Sequence, residues 1–443
     1  MTLDEYIEVT YQNNPLWFED EVNKPYNVKR ISGVIANRDY LSGRHKVLNR
    51  EDAMYKGKTL VTNKTVLNYA KTVLSFHNTY VLGKPVSIVS SDDTIAKTFT
   101  DIYKLGQYET VDYEIIDRVN KFGDAYEVVY VDNGTIKSKI LDSGDCYPVY
   151  DDFGTYLAFI EHWTDAFSNI SYYNVYYDGY VEHWNNDGAV LHMTGSDVNV
   201  CGLPIHYHNF SDIDYNFGES ILTDIKPIMD DLEDILAKMG TAVYVNSLNP
   251  MNVATGQRIE STIPADATGF VLNLDNGDYK VVSTMMDYST IQLYLDNMKQ
   301  MLNDIACIPN VLGGNASIAN VSEVSLRLLF HMANVKAMET EKWLNIGFMK
   351  RFDKFKNILA KLNIPCNGNV NVEYNLSIPV ATNEVVANLK TMREIGAISL
   401  ETVMEKSDLI KDVAVEKERL NGEYDAVENV ENPSNKVGNE DIK

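Results

Sequence analysis

Residues 222–243 read LTDIKPIMDDLEDILAKMGTAV. Leu222, Ile225, Met229, Leu232, Leu236, Met239 and Val243 follow one another at alternating steps of three and four. That is a heptad seam, the spacing that lets a helix lie along a near-parallel neighbour. Asp230, Asp231, Glu233 and Asp234 fall on the other face. Pro227 sits near the start, where proline is tolerated or kinks the helix. A helix packed in an ordinary helical core shows the same stripe, so the neighbouring segments decide what the seam is for.

Downstream, residues 246–286 interrupt the helical pattern with Asn249-Pro250, Gly256 and Pro264. Within them, strands Phe270–Leu274 and Tyr279–Val282 flank the turn Asp275-Asn276-Gly277, a hairpin signal. Asp275 and Asp278 lack the further oxygen ligands of a calcium loop, and a turn explains them. A second helix follows, with Ile291, Tyr294, Leu295, Met298, Met301, Leu302 and Ile305 on one face, and Pro309 ends it. Residues 310–319, NVLGGNASIA, are small and uncharged. Asn320 then caps a new helix, with Glu323 at the capping-box position. Its apolar pattern continues through Leu326, Leu329, Val335, Trp343, Ile346 and Phe352 towards Leu362, about 60 Å of helix at the usual rise, with Gly347 as the expected bend. That length suggests an architectural spine. A strand is expected at Asn371–Ile378 and helices at Glu384–Glu394, Leu400–Glu405 and Asp408–Leu420, and the acidic tail beyond reads as disordered.

Upstream, many of the 28 tyrosines crowd between Tyr126 and Tyr207. The pattern there predicts strands at Ala125–Val131, Thr135–Leu141, Tyr156–Trp163, Ser171–Tyr177 and Gly179–Trp184, with turn signals such as Asp132-Asn133-Gly134 between them. Helices are predicted at Lys64–Phe76 and Thr94–Leu105, and the first 49 or so residues follow no single period. The fold class is therefore α+β.

The 443 residues carry a formal net charge of −24, which argues against a protein that grips DNA by its phosphates. It does not exclude one that surrounds DNA without holding it, since an acidic wall keeps a moving polyanion from sticking. Met1–Thr10 is acidic and mixed, unlike a secretory signal, and no apolar run reaches the length of a membrane span. Cys146, Cys201, Cys307 and Cys366 are scattered and read as reduced thiols. There is no phosphate-cradling glycine loop and no nucleophile elbow. His162, His183, His192, His206 and His208 are the best metal candidates, but only His206 and His208 share a strand face, and no third ligand is evident. Asp151 and Asp152 are adjacent in a turn and point apart. No catalytic residue, metal or cofactor is assigned. Lys350, Arg351, Lys354, Lys356 and Lys361, late on the long helix, read either as a solvated face or as a contact to DNA phosphates or an acidic partner.

In this order the segments resemble a phage portal protein of the type found in long, non-contractile-tailed phages of Gram-positive hosts. The resemblance rests on Asp39-Tyr40-Leu41-Ser42-Gly43-Arg44-His45-Lys46-Val47, Tyr80-Val81-Leu82-Gly83-Lys84-Pro85-Val86, Phe122-Gly123-Asp124-Ala125-Tyr126-Glu127-Val128, Gly218-Glu219-Ser220 and Glu323-Val324-Ser325-Leu326-Arg327-Leu328-Leu329. It covers roughly Tyr40 to Leu420, without the basic residues that some portals place in their channel loop.

The resemblance implies a portal fold: a mixed, β-rich wing (1–220), a stem of two helices (221–245 and 287–308), a small α/β clip (246–286), a channel loop (309–320), a long wing helix and strand (321–378), a helical crown (379–420) and a tail (421–443). It implies a homo-oligomeric ring, a dodecamer, in the virion at one capsid vertex, assembled in the host cytoplasm, with no membrane. Double-stranded DNA would pass through it, past Asn310, Gly313, Gly314, Asn315, Ser317 and Asn320. Its other partners would be the large terminase, the head-tail adaptor and the major capsid and scaffolding proteins. The alternatives are another virion structural protein, such as a head-tail adaptor, or a metal-dependent enzyme built on the histidine-rich β module.

Overall fold

Thr2 opens the first helix by a reciprocal capping box with Glu5. In chain order follow α1 (Leu3–Tyr11), α2 (Trp17–Val22), α3 (Pro25–Leu41), the hairpin β1 (Ala53–Tyr55) and β2 (Lys58–Leu60), α4 (Tyr69–Leu82), β3 (Ser87–Ser90), α5 (Asp93–Gly106) and α6 (Tyr108–Phe122). Next come β4 (Asp124–Asp132), β5 (Thr135–Leu141), β6 (Cys146–Tyr150), β7 (Tyr156–Thr164), β8 (Ser171–Tyr176), β9 (Tyr180–Asn185), β10 (His192–Val198) and β11 (Ile205–His208). The chain closes with α7 (Leu222–Val243), β12 (Met251–Thr255), β13 (Asp278–Val282), α8 (Tyr288–Ile305), α9 (His331–Lys361), β14 (Val370–Glu373), α10 (Thr382–Glu394) and α11 (Leu400–Lys406). This computed structural model describes residues 1–55, 58–188, 190–243, 251–256, 277–282, 287–309, 327–364, 366, 368–377 and 382–407, with single positions as far as 420.

The described chain divides into two units, Met1–Asn310 with His331–Ser377, and Val311–Phe330 with Ile378–Lys443. In the first, β10-β9-β8-β7-β6 form an antiparallel meander and β11-β4-β5 a second sheet, while β14 pairs with β3. Tyr6, Trp17, Phe18 and Val22 of α1 and α2 pack on Tyr147, Val149, Ala158, Ile160, Tyr173 and Val175 of the meander. A second core joins Ala70, Val73 and Leu74 of α4 to Leu222, Ile225, Met229 and Leu232 of α7 and to Leu302 of α8. In the second unit, Gly396 turns the chain from α10 to α11 at φ +71°, and Ser399 caps α11.

The five strands predicted between residues 125 and 184 are present, as β4, β5, β7, β8 and β9. The pattern missed β6, whose Pro148 is admitted because β6 is the edge of its sheet. It also missed β10, every residue of which is exposed. It missed α6 because Asp112 and Asn120 are buried on the same face as Ile115, Ile116 and Val119, which spoils the apolar period. The helix expected at Lys64–Phe76 begins only at Tyr69, because the Leu67 amide donates to Glu233 Oε1 at 2.7 Å and is held out of the helix. The long helix expected from Asn320 is divided: Arg327–Leu329 are helical, Phe330 lies in a turn, and α9 starts at His331. Gly347 lies within α9 at a close approach, where an added Cβ would stand 2.1 Å from Tyr207 Cδ1. Tyr279–Val282 is a strand, and its partner is Met251–Thr255; the strand expected at 270–274 and the turn residues Asp275 and Asn276 lie outside the described residues, and Gly277 just precedes β13.

Candidate functional site

The root of α7 is fastened by the segment that follows α3. Tyr40 stacks on His45, ring centroids 3.8 Å apart. His45 Nδ1 lies 2.7 Å from Glu233 Oε1, and Nε2 lies 3.0 Å from the Tyr40 carbonyl oxygen. Both ring nitrogens face acceptors. Lys46 Nζ pairs with Asp230 at 2.7 Å and Arg50 Nε with Asp234 at 3.6 Å. Lys226 Nζ donates to Asn37 Oδ1 and lies over the Tyr40 ring. The acidic face of α7 is thus not a solvated face: three of its four carboxylates are answered by residues 45–50, and Glu233 is fully buried. Burial, together with Asp230 and Glu233, pushes the Tyr40 phenol well above its ordinary pKa.

The seam itself divides. Leu222, Ile225, Met229 and Leu232 are buried within the chain, Leu236 and Met239 are half-buried, and Val243 is exposed. On α8, Leu295, Met298 and Leu302 pack into the same core as α7. Tyr294, Met301 and Ile305, which share the expected apolar face, stay 49%, 54% and 49% exposed. His77 of α4 ties down the end of α8 through Nε2 and the Ala306 carbonyl oxygen, 2.7 Å apart, and burial lowers its pKa to about 4.

The chain enters α7 through a glycine joint. Gly123, at φ +91°, and Gly218 press backbone on backbone, so that a Cβ on either would fall within about 2.3 Å of the other's carbonyl oxygen. Asp124 Oδ1 accepts from the Gly218 amide at 2.9 Å, and Ser220 Oγ donates to the Lys121 carbonyl at the end of α6. His206 lies 2.9 Å from Asp124 through Nε2 and 2.6 Å from the Tyr150 hydroxyl through Nδ1. The neutral ring, donating from Nε2 and accepting from Tyr150, satisfies both contacts, and burial lowers its pKa to about 4. His208 lies against Trp343, His162 stacks on Tyr173, and His183 bonds to Asn174. Among the described residues no group of three histidine, cysteine or carboxylate side chains is placed to hold a metal. Asp151 builds its turn by accepting from the amides of Phe153 and Thr155.

The basic run on α9 divides between a buried arginine and more exposed lysines. Arg351 is fully buried. Its Nε donates to both oxygens of Glu127 at 2.9 and 3.0 Å, and its NH1 donates to Asp112 and to the Tyr103 hydroxyl. Tyr207 donates to Glu127 at 2.6 Å, and Phe348 and Tyr108 face the guanidinium at 4.9 and 5.0 Å. Burial works against the charge, but Glu127, Tyr207 and Asp112 outweigh it and hold the arginine well above its ordinary pKa. Lys354 Nζ donates to the carbonyls of Cys201 and Leu203, and Lys361 Nζ to that of Val200. Lys356 is paired with Asp353.

The motifs behind the sequence resemblance therefore have structural work: 39–47 clamps α7, 122–128 and 218–220 form the glycine joint, and Pro85 accepts from Asn375 beside the β3–β14 pair. The segment 323–326 and the loop residues Asn310, Gly313, Gly314, Asn315, Ser317 and Asn320 lie outside the described residues. The sequence reading missed Asp112, Glu127 and His45 as partners of the two long helices. The one available signal was that 39–47 and 122–128 carry charged residues inside motifs otherwise rich in glycine and aromatic side chains.

Among the described residues no helix is long and apolar enough to cross a membrane. No curated protein matches the chain. Similar solved structures include the neck of an empty GTA particle computed with C6 symmetry, at 12% identity and TM-score 0.46, covering 75% of this chain and 87% of that one. A second is the neck of a native GTA particle computed with C12 symmetry, at 11% identity and TM-score 0.44, covering 76% and 89%. The virion of a native gene transfer agent particle gives 12% identity and TM-score 0.42, covering 75% and 87%. The family described as "Phage portal protein, SPP1 Gp6-like" matches residues 24–429, nearly the whole chain and every segment built into the clamp, the joint and the α7–α8 pair. The chain belongs to this family of phage portal proteins.

Proposed function

We propose that this portal chain acts as one subunit of a closed dodecameric ring at a capsid vertex, the conduit for double-stranded DNA during packaging and ejection. The observation that carries this reading is the uneven use of the α7–α8 pair. Its inner apolar residues are consumed by the chain's own core, and its root is clamped by residues 40–50. Tyr294, Met301 and Ile305 remain open on one face of α8. An apolar row on a firmly anchored helix suits a repeated head-to-tail contact, the kind that closes into a ring. In this reading α7 and α8 are the stem and residues 246–286 are the clip that meets the large terminase and later the head-tail adaptor. Residues 1–220 and 321–378 form the wing, facing the major capsid and scaffolding proteins, and residues 379–420 form the crown. Chemistry is left to the motor, and the portal itself carries none.

Residues 309–320 would be the channel loop. No basic residue lies between Lys299 and Arg327, so the loop offers DNA neutral hydrogen-bonding groups and the backbone freedom of Gly313-Gly314 in place of ion pairs. Binding of duplex DNA by isolated rings should then be weak, with a shallow salt slope, because that slope scales with the phosphates neutralised. The test is paired. Met301→Asp with Ile305→Asp should abolish rings in sedimentation velocity while leaving the circular dichroism unchanged. Deletion of residues 313–317 should leave rings intact and impair packaging or retention of DNA. Rings that survive the double substitution, together with normal packaging by the deletion, would overturn the assignment.

A further inference from the structure

A cleft of about 860 Å³ opens between the last turns of α9 and the segment joining β10 to β11. Its helix side carries Lys350, Lys354 and Lys361. These sit at i, i+4 and i+11, one face of an α-helix over about 16 Å. Its strand side carries Leu157, Leu203 and Pro204. Among the described residues none of the three lysines is ion-paired, although the chain carries a net charge of −24. Among the described residues Lys354 and Lys361 donate to backbone carbonyls alone, Leu203 at 2.6 Å and Val200 at 3.0 Å being two of them. Lys350 has no hydrogen-bond partner among the described residues. An ammonium group has three protons to donate, so among the described residues most of the lysine donors lining this cleft meet no protein acceptor. Burial also draws the Lys350 and Lys354 pKa values below the ordinary lysine value, at Lys354 against the smaller opposing pull of Cys201, Glu127 and Asp178. Asp178 also lines the cleft, and a Cβ on Gly202 would lie 3.6 Å from its Oδ1 and 3.5 Å from Lys354 Nζ.

We propose that this cleft docks an extended segment of a second protein in which acidic and apolar side chains alternate. An extended strand sends successive side chains to opposite sides, with same-side neighbours about 7 Å apart. Carboxylates on one side would meet the lysine row, and aliphatic side chains on the other would cover Leu157, Leu203 and Pro204. Nucleic acid fits less well, because the strand side offers its sugars and phosphates an apolar wall.

The experiment is a fluorescence-anisotropy titration of the full-length chain in its assembled form. The probes are a labelled peptide of alternating Glu and Leu, a Gln–Leu peptide of equal length, and a labelled DNA duplex. The variant is Lys350→Glu, which removes no hydrogen bond or ion pair among the described residues. The Glu–Leu peptide is expected to bind at least tenfold more tightly than the Gln–Leu peptide, despite the protein's net negative charge. Lys350→Glu should weaken it about tenfold at an unchanged thermal midpoint. Equal binding of the two peptides, or a Glu–Leu affinity indifferent to Lys350→Glu, would overturn the proposal. Tighter binding of the duplex, lost in the variant, would make the cleft a nucleic-acid site and overturn it too. Loss of the assembled form in the variant would assign the cleft to a neighbouring copy, with the same consequence.

Discussion

α7 and α9 are both long, charged helices, and they dispose of their charge in opposite ways. On α7 an apolar seam takes the core, and the acidic residues lie behind it, where His45, Lys46 and Arg50 reach them from a neighbouring segment. On α9 a single cation, Arg351, goes into the centre of an aromatic core between Asp112 and Glu127, while its lysine neighbours bind carbonyls or face a cleft. A run of like charges on a helix therefore says little about solvent. What decides its place is whether the rest of the chain supplies counter-charges at the right depth, and those lie 224 and 239 residues from Arg351.

The largest effect is expected at the α9 centre. Arg351→Met leaves two buried carboxylates without a counter-charge and should cost about 3–5 kcal/mol in chemical denaturation, whereas replacing Arg351, Asp112 and Glu127 together by apolar residues should recover much of that. A loss below 1 kcal/mol for the single variant would erase the contrast between the helices. On α7, Leu232→Ala should cost about 3 kcal/mol through the cavity it leaves among Tyr40, Leu74 and Leu302.

Next comes acid. His77 and His206 have folded pKa values of about 4 against the ordinary histidine value of 6.5. As pH falls below 6.5 the unfolded chain takes up protons that the folded chain refuses, so stability drops between pH 6.5 and 4, by about 2 kcal/mol for each histidine at pH 5. A His77→Gln, His206→Gln variant should lose less between pH 7 and pH 5 than the parent; an identical slope would place the acid sensitivity elsewhere. The smallest effect belongs to the rim of the clamp: Lys46 is mostly exposed, and Lys46→Ala should change stability by no more than about 1 kcal/mol, in contrast to Arg351.

These contrasts also explain what the sequence made legible. The seam of α7, the apolar stripe of α8 and the strands of the tyrosine-rich module were readable because burial there follows a short period along the chain. The α9 centre was not, because Arg351, Asp112 and Glu127 are polar by composition and core by position, and no periodic pattern marks a buried ion network. The clamp was half legible: residues 39–47 stood out as a motif, yet nothing in their spacing indicated that Glu233 was their target. The division of the long helix at Phe330 was likewise unmarked, since the apolar pattern runs through it without a proline or glycine.

The central claim, that a clamped α7–α8 pair with an open apolar face on α8 builds a ring for DNA, meets its most direct test in symmetry-averaged electron microscopy of the purified full-length protein without DNA. Closed twelvefold rings are expected, with a central hole at least as wide as a DNA duplex, about 20 Å, and with Tyr294, Met301 and Ile305 at the contact between neighbouring subunits. Monomers, open filaments, or rings whose neighbours meet without α8 would contradict it.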